Sequence, residues 1–176
     1  MRRLILVAVA CVAALTVASP ASASTTTARD GGWVPAPSAT FDRPAGVLCD
    51  FPIHSEPIVD EVVMKVLDTY PDGTSKLEIY TGALVIRVTN TDTGAATDVD
   101  ASGTALVQYR PGGSFDLDST WYAVGPVLVG FREGRGDHPR GYYQFDGIYT
   151  INFAEDGFKT VHMVVGTEHD VCLDIA

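Results

Sequence analysis

The chain has 176 residues, 46% of them hydrophobic and 19% charged, with 22 acidic against 12 basic side chains. That balance excludes a disordered, collagen-like or cysteine-dense chain, and the length suits one domain. A formal charge of −10 repels phosphate rather than releasing its counterions, so nucleic acid is not an expected partner.

In chain order the first element is an address. Arg2 and Arg3 precede an apolar run over 4–18 interrupted only by Thr16, Ser19-Pro20 ends it, and Ala21-Ser22-Ala23 supplies the small residues of a cleavage site. This layout predicts a signal peptide over residues 1–23, too short for a comfortable membrane span. It implies a secreted, extracellular protein with no stable membrane span after cleavage. Cys11 has Ala8 rather than Leu three residues before it, so it reads as a small hydrophobe discarded with the signal and not as a lipidation site. The two arginines leave with the segment and the acidic surplus grows, which favours a soluble monomer.

Residues 24–46 are rich in Thr, Ala, Pro, Gly and Ser, carry Pro35, Pro37 and Pro44, and show no apolar period. They read as a flexible leader, leaving 47–176 as the folded domain. From Val47 onward, β-branched and aromatic runs alternate with turn signals at the spacing of an all-β sandwich or barrel. Residues 58–70 place apolar side chains at 59, 62, 63, 66, 67 and 70, a helical spacing. Four valines, stiff at χ1, and the turn Tyr70-Pro71-Asp72-Gly73-Thr74 weigh instead towards a strand over 62–70 and a hairpin with 75–80. Further strands are expected over 83–89, 97–101, 104–110, 114–123, 127–132, 142–153 and 158–166, with a long polar loop after Arg132. The sum is an all-β fold, a single antiparallel meander of about eight or nine strands. A closed or nearly closed β-barrel is favoured, with a two-sheet β-sandwich as the alternative.

Alternation refines the register. A Pro111-Gly112-Gly113 loop sets Tyr109 opposite Phe115 and Val107 opposite Leu117, and a loop at Ala101-Ser102-Gly103 adds Val99 beside Ala105 on the same apolar face. Asp98, Asp100, Asp116, Asp118 and Gln108 then share the solvated face, with Leu106 the exception. The aspartate pairs are a strand apart, about 9–10 Å, too far to share one calcium ion, and no glycine-turned calcium loop accompanies them.

Beyond the signal the cysteines are Cys49 and Cys172. In an oxidising compartment they are expected to pair and tie the first and last strands. So long a loop is worth roughly 4–5 kcal/mol in the chain-entropy model.

Cys49-Asp50-Phe51-Pro52, the hairpin Pro71-Asp72-Gly73-Thr74, Val88-Thr89-Asn90-Thr91-Asp92-Thr93-Gly94 and the closing Asp170-Val171-Cys172 stand in this order. In them the chain resembles the small exported proteins of unknown function that are abundant in actinobacteria. The resemblance covers nearly all of the domain. It implies secretion and an all-β fold tied by terminal cysteines, and it transfers no catalytic residue.

No Gly-x-Ser-x-Gly elbow, phosphate loop, dinucleotide fingerprint or His-Glu-x-x-His helix occurs. His162, Glu168, His169 and Asp170 are close in sequence, yet zinc needs three or four convergent ligands and nothing in strand alternation brings them together. His54 and His138 stand in no motif. No metal or cofactor is expected. The stretch 132–141 carries Arg132, Arg135 and Arg140 in an otherwise acidic chain, and polar loops between strands often carry function. These arginines are the candidates for a small anionic ligand. Arg135-Gly136-Asp137 also spells an integrin-binding tripeptide, which three common residues produce by chance. Trp121-Tyr122 and Tyr142-Tyr143 each send one ring inward. Trp121 is expected in the core with Phe115 and Leu117, leaving Tyr122 and one of Tyr142 and Tyr143 exposed or at a barrel mouth, where rings stack on sugars or line a cavity.

The function expected is therefore a non-catalytic binding or envelope-associated module whose partner is an extracellular or cell-envelope ligand. The alternative is a small β-barrel enzyme or a carrier of an apolar ligand. An interior filled by its own side chains favours the first, and a pocket with convergent polar groups the second.

Overall fold

Residues 32–176, the part of the chain described by the computed structural model, fold into twelve strands and a closing 3₁₀ turn, with no α-helix among them. The predicted signal peptide, Cys11 included, lies outside the described residues. Among those described, no helix is long and apolar enough to cross a membrane. In order the strands are β1 (Val34–Pro35), β2 (Phe41–Arg43), β3 (Ile53–Asp60), β4 (Val63–Thr69), β5 (Ser75–Thr81), β6 (Leu84–Asn90), β7 (Ala96–Asp100), β8 (Thr104–Ser114), β9 (Leu117–Val124), β10 (Val127–Phe131), β11 (Gly141–Phe153) and β12 (Lys159–Asp170), and the turn is Val171–Asp174.

The valine-rich stretch that carried helical spacing is strand β4, hairpinned to β5. The Tyr70 amide donates to the Thr74 carbonyl at 2.9 Å, and the Asp72 carboxylate takes the Thr74 amide and hydroxyl at 2.9 and 2.7 Å. The single meander, however, is corrected. The strands form two antiparallel sheets, a large one ordered β1-β4-β5-β8-β9-β11-β10 with β12 on β11, and a small one ordered β2-β3-β6-β7. Hairpins join β4–β5, β6–β7, β8–β9, β10–β11 and β11–β12, but the chain changes sheet after β1, β3, β5 and β7. The 101–103 segment is one such crossing and not a hairpin: the Ala101 amide donates to Leu84 and the Gly103 amide to Pro126, at 2.9 and 2.7 Å. Val99 and Ala105 are both buried, as alternation requires, on different sheets.

The predicted leader is also corrected, because β1 and β2 fall within 24–46 and pair with β4 and β3 (Val34↔Met64, Phe41↔Ser55). Strands of two and three residues are too short to show a period. β3 hides for another reason, since Pro57 breaks its ladder at a register shift.

At β8–β9 the expected loop is strand. β8 continues through Pro111-Gly112-Gly113 with an irregularity, the turn falls at Phe115-Asp116, and Val107 faces Trp121 and Tyr109 faces Ser119. Over residues 107–109 the displacement from the predicted register is even, so those side chains keep their faces. Beyond the register shift Asp116, expected on the solvated face, lines the space between the sheets. Phe115 and Leu117 pay no burial dividend and stay 40% and 41% exposed.

β11 organises the large sheet. One edge pairs with β12 from Tyr143 to Phe153, while the other pairs with β10 as far as Phe145 and with β9 from Ile148 onward. Gly147 marks the changeover, paired with Gly166, at φ of +141° and +149°. A Cβ on Gly147 would stand 2.1 Å from the Val165 carbonyl oxygen, so only glycine allows this bend. Among the described residues the far edge of β12 is covered only at its start, where Arg135–Asp137 backbone pairs with Lys159. Val164 and Val165 beyond are 65% and 61% exposed.

The core has three parts. Ile53, Ile86, Val88 and Val99 of the small sheet pack on Leu48, Val171 and Ile175; Phe131, Phe145, Tyr149, Ile151 and Phe153 form a second cluster; Ala105, Val107 and Tyr109 form a third. Cys49 and Cys172 are disulfide-bonded within the first, with Cα atoms 5.5 Å apart, so the bridge expected from the sequence clips the entry to β3 onto the turn after β12. Asn90, buried there, donates to the Ile175 carbonyl at 2.9 Å.

Candidate functional site

The inward faces of the two sheets do not fill the space between them. A cavity of about 670 Å³ is lined from the small sheet by Phe41, Arg43, Ser55, Leu84 and Ile86, and from the large sheet by Tyr80, Ala105, Trp121, Val129, Tyr142, Phe153 and Lys159. Alternation dictates most of this lining, because these residues are the inward members of their strands. Ala101 and Ala105 contribute short side chains to the lining, while at Gly130 a Cβ would lie 2.9 Å from Leu48. Trp121 is half-buried, its ring 4.2 Å from Phe115 and 4.8 Å from Phe153 between centroids, and its indole N–H donates to the Phe115 carbonyl at 2.8 Å. Tyr142 is buried and shares a 3.3 Å hydrogen bond with Ser55.

Charge is distributed unevenly around this cavity. Among the described residues Lys76, Arg87, Arg110 and Arg140 are ion-paired, with Asp68, Asp98, Asp118 and Asp50 respectively. Arg43, Arg132 and Lys159 have no such partner there, and all three line the cavity. An adjoining hollow of about 570 Å³ shares Arg43 and Arg132 and adds Arg135 beside Asp42 and Glu133. The Lys159 ammonium donates to the Gly130 carbonyl and lies 5.5 and 5.7 Å from the Phe131 and Phe153 ring centres. Burial holds its pKa below the usual lysine range, and the nearby Arg132 charge lowers it further while Asp116 acts the other way.

Two polar constellations flank the cavity, the first sharing Tyr80 with its lining. Glu78, 6% exposed, accepts hydrogen bonds from the Tyr80 and Tyr109 hydroxyls at 2.5 Å each. Burial pushes this carboxyl up, but hydrogen bonds from Ser75, Tyr109 and Tyr80 outweigh it and leave the pKa below the ordinary value. Tyr80 is correspondingly pushed up to about 12 by burial and by Glu78, and burial with Glu78 raises Tyr109 as well. Both hydroxyls are therefore donors to a carboxylate at neutral pH.

The second constellation is His138. Its ring lies 4.9, 5.4 and 5.3 Å from those of Phe131, Tyr143 and Phe145, and its nitrogens meet Asp137 at 2.7 Å and Glu168 at 3.0 Å. Burial lowers its pKa, yet the two carboxylates outweigh burial and the net shift is upward from 6.5. A raised folded-state pKa means that the imidazolium stabilises the fold fully below the ordinary histidine value and ceases to do so as pH rises through the folded value. Hydrogen exchange at the Asp137 and Val161 amides, corrected for intrinsic rate, is accordingly expected to speed up as pH rises above 6.5. In His138→Gln that pH dependence flattens; a wild-type profile already flat contradicts a stabilising role for the His138 imidazolium between Asp137 and Glu168.

The predicted site residues divide. Arg132 and Tyr142 line the cavity, and Arg135 lines the adjoining hollow while donating to the Asp156 carbonyl. Arg140 is engaged by Asp50 and the Gly46 carbonyl, Tyr143 belongs to the His138 cage, and Tyr122 is exposed and bonded to Gln108. The Arg-Gly-Asp triplet is pinned along β12, since the Asp137 carboxylate takes the Val161 amide at 2.9 Å. His162 is exposed, His169 meets Asp174 at 2.9 Å, and among the described residues no three His, Cys, Asp or Glu side chains gather as a metal site. Arg43 and Lys159 were not singled out by the sequence: the first lies in the apparent leader, and the second is buried only because β10 and β11 fold over it. Compared with family models, curated proteins and solved structures, the chain matches none.

Proposed function

We propose that the chain is an exported, non-catalytic binding module that holds a small, mainly apolar molecule between its two sheets. The observation that carries this is the inter-sheet cavity, whose 670 Å³ falls in the range of small-molecule sites, roughly 300–1,000 Å³. Its lining supports the reading too: aromatic and aliphatic side chains with a few polar groups among them. We read the architecture as an open sandwich, on the ground that the strand order runs from β1 to β10 and β12 without returning on itself. Binding is preferred to catalysis because the groups best suited to proton transfer are already engaged, Glu78 by two tyrosines and His138 by two carboxylates. Export rests on the N-terminal signal pattern and agrees with the disulfide.

The test uses the neutral fluorophore N-phenyl-1-naphthylamine. Saturable binding at one site per chain is expected, weakened about tenfold or more in Ala105→Phe, which fills the cavity from β8. Far-UV circular dichroism should show the variant folded. Absence of saturable binding by the wild type, or unchanged binding by the folded variant, overturns the proposal.

A further inference from the structure

We infer that the ligand is an amphiphile with an anionic head, carboxylate or phosphate, seated against Arg43, Arg132 and Lys159 while its apolar tail runs between the sheets. This rests on the binding reading above and specifies its ligand class.

The first support is the placement of unpaired cations. In a chain with 22 acidic side chains, a basic group at the surface ordinarily finds a carboxylate. Among the described residues the cations outside ion pairs are Lys65, Arg43, Arg132, Arg135 and Lys159, and all but Lys65 line the cavity or the hollow that opens beside it. The carboxylates nearby are otherwise placed. Asp42 is bonded to His54 at 2.8 Å, and Asp116 faces the cavity without an ion pair to any of the three cations.

The second support is mutual repulsion. Arg132 disfavours the charge on Lys159 more than Asp116 favours it, and Lys159 is held with a single carbonyl acceptor for its three protons. Like charges kept together in a partly desolvated place are destabilising unless an anion joins them. Guanidinium groups offer paired donors that match carboxylate and phosphate oxygens. The third support is the apolar lining by Phe41, Leu84, Ile86, Trp121, Val129 and Phe153, which an inorganic anion leaves unused. An apolar body joined to an anionic head satisfies both.

Affinities for dodecanoate, dodecyl phosphate, dodecanol and dodecylammonium, measured below their aggregation concentrations by calorimetry, test this on the full chain. At least one anion should bind about tenfold or more tightly than dodecanol, as charge-assisted hydrogen bonds predict, with the cation weakest. Which anion is tighter identifies the head. Arg132→Gln, on the exposed rim, and Lys159→Met should each narrow that preference, with the affinity for the anion falling more than that for dodecanol. Equal affinity for both anions and dodecanol overturns the anionic head and leaves the cavity reading standing. Failure of all four amphiphiles and the naphthylamine to bind overturns both.

Discussion

Replacing Cys49 and Cys172 together with alanine is expected to lower the free energy of unfolding by about 4–5 kcal/mol. The bridge spans a sequence separation of 123, and a loop of that length loses much entropy in the denatured chain when its ends are joined. Both cysteines are buried among Leu48, Ile53, Val171 and Ile175, so the variant also loses sulfur contacts in the core. Domains of this size have a total stability of about 5–15 kcal/mol, so a large share depends on one covalent link. Urea denaturation of the variant against the oxidised wild type measures it. A loss under about 1 kcal/mol would mean that the denatured chain is already compact where the bridge acts.

Phe131→Ala is expected to cost about 3–5 kcal/mol, as for other large-to-small aromatic changes in cores. Phe131 is fully buried at the end of β10, its ring 5.8 Å from Tyr143 and 6.2 Å from Phe145 between centroids. It also supports the site, with His138 on one side and the Lys159 ammonium within 5.5 Å of its centre. The 132–141 loop rests directly on it, since a Cβ on Gly136 would lie 2.5 Å from the ring. The variant should therefore unfold at lower urea and also lose exchange protection at Asp137 and Val161. A stability loss with that protection intact would separate the loop from the core. The disulfide and Phe131 belong to different core clusters, so their effects should add to within about 0.5 kcal/mol.

What the sequence made legible was local. β-branched and aromatic runs between turn signals identified β5 to β12 to within a few residues, valine stiffness and the turn at 71–74 identified β4, and cysteine economy gave the bridge. Alternation even survived a misplaced turn, because moving Tyr109 from Phe115 to Ser119 preserves which side chains point inward. Patterning has no access to which sheet a strand joins, so the crossings after β1, β3, β5 and β7 went unseen. The site suffered in the same way. Arg132 and Tyr142 stood out for charge and ring type, but Lys159 gains its surroundings from Gly130, Phe131 and Phe153 on other strands. Glu78 looks like an ordinary surface residue until Tyr109, on β8, folds over it.

The bend at Gly147 and Gly166 bears on how the molecule keeps to itself in company. A straight ribbon with free amides and carbonyls along one side recruits further ribbons, the route to fibril growth. Beyond the part shielded by the 132–141 loop, β12 is vulnerable in this way, with Val164 and Val165 bare. Its defence is its shape and its neighbours in sequence. Gly166 twists the strand immediately after the valines, His162 interrupts the apolar run before them, and Glu168 and His169 set polar groups beyond. An incoming strand finds only a short straight segment to copy, which disfavours growth from this edge.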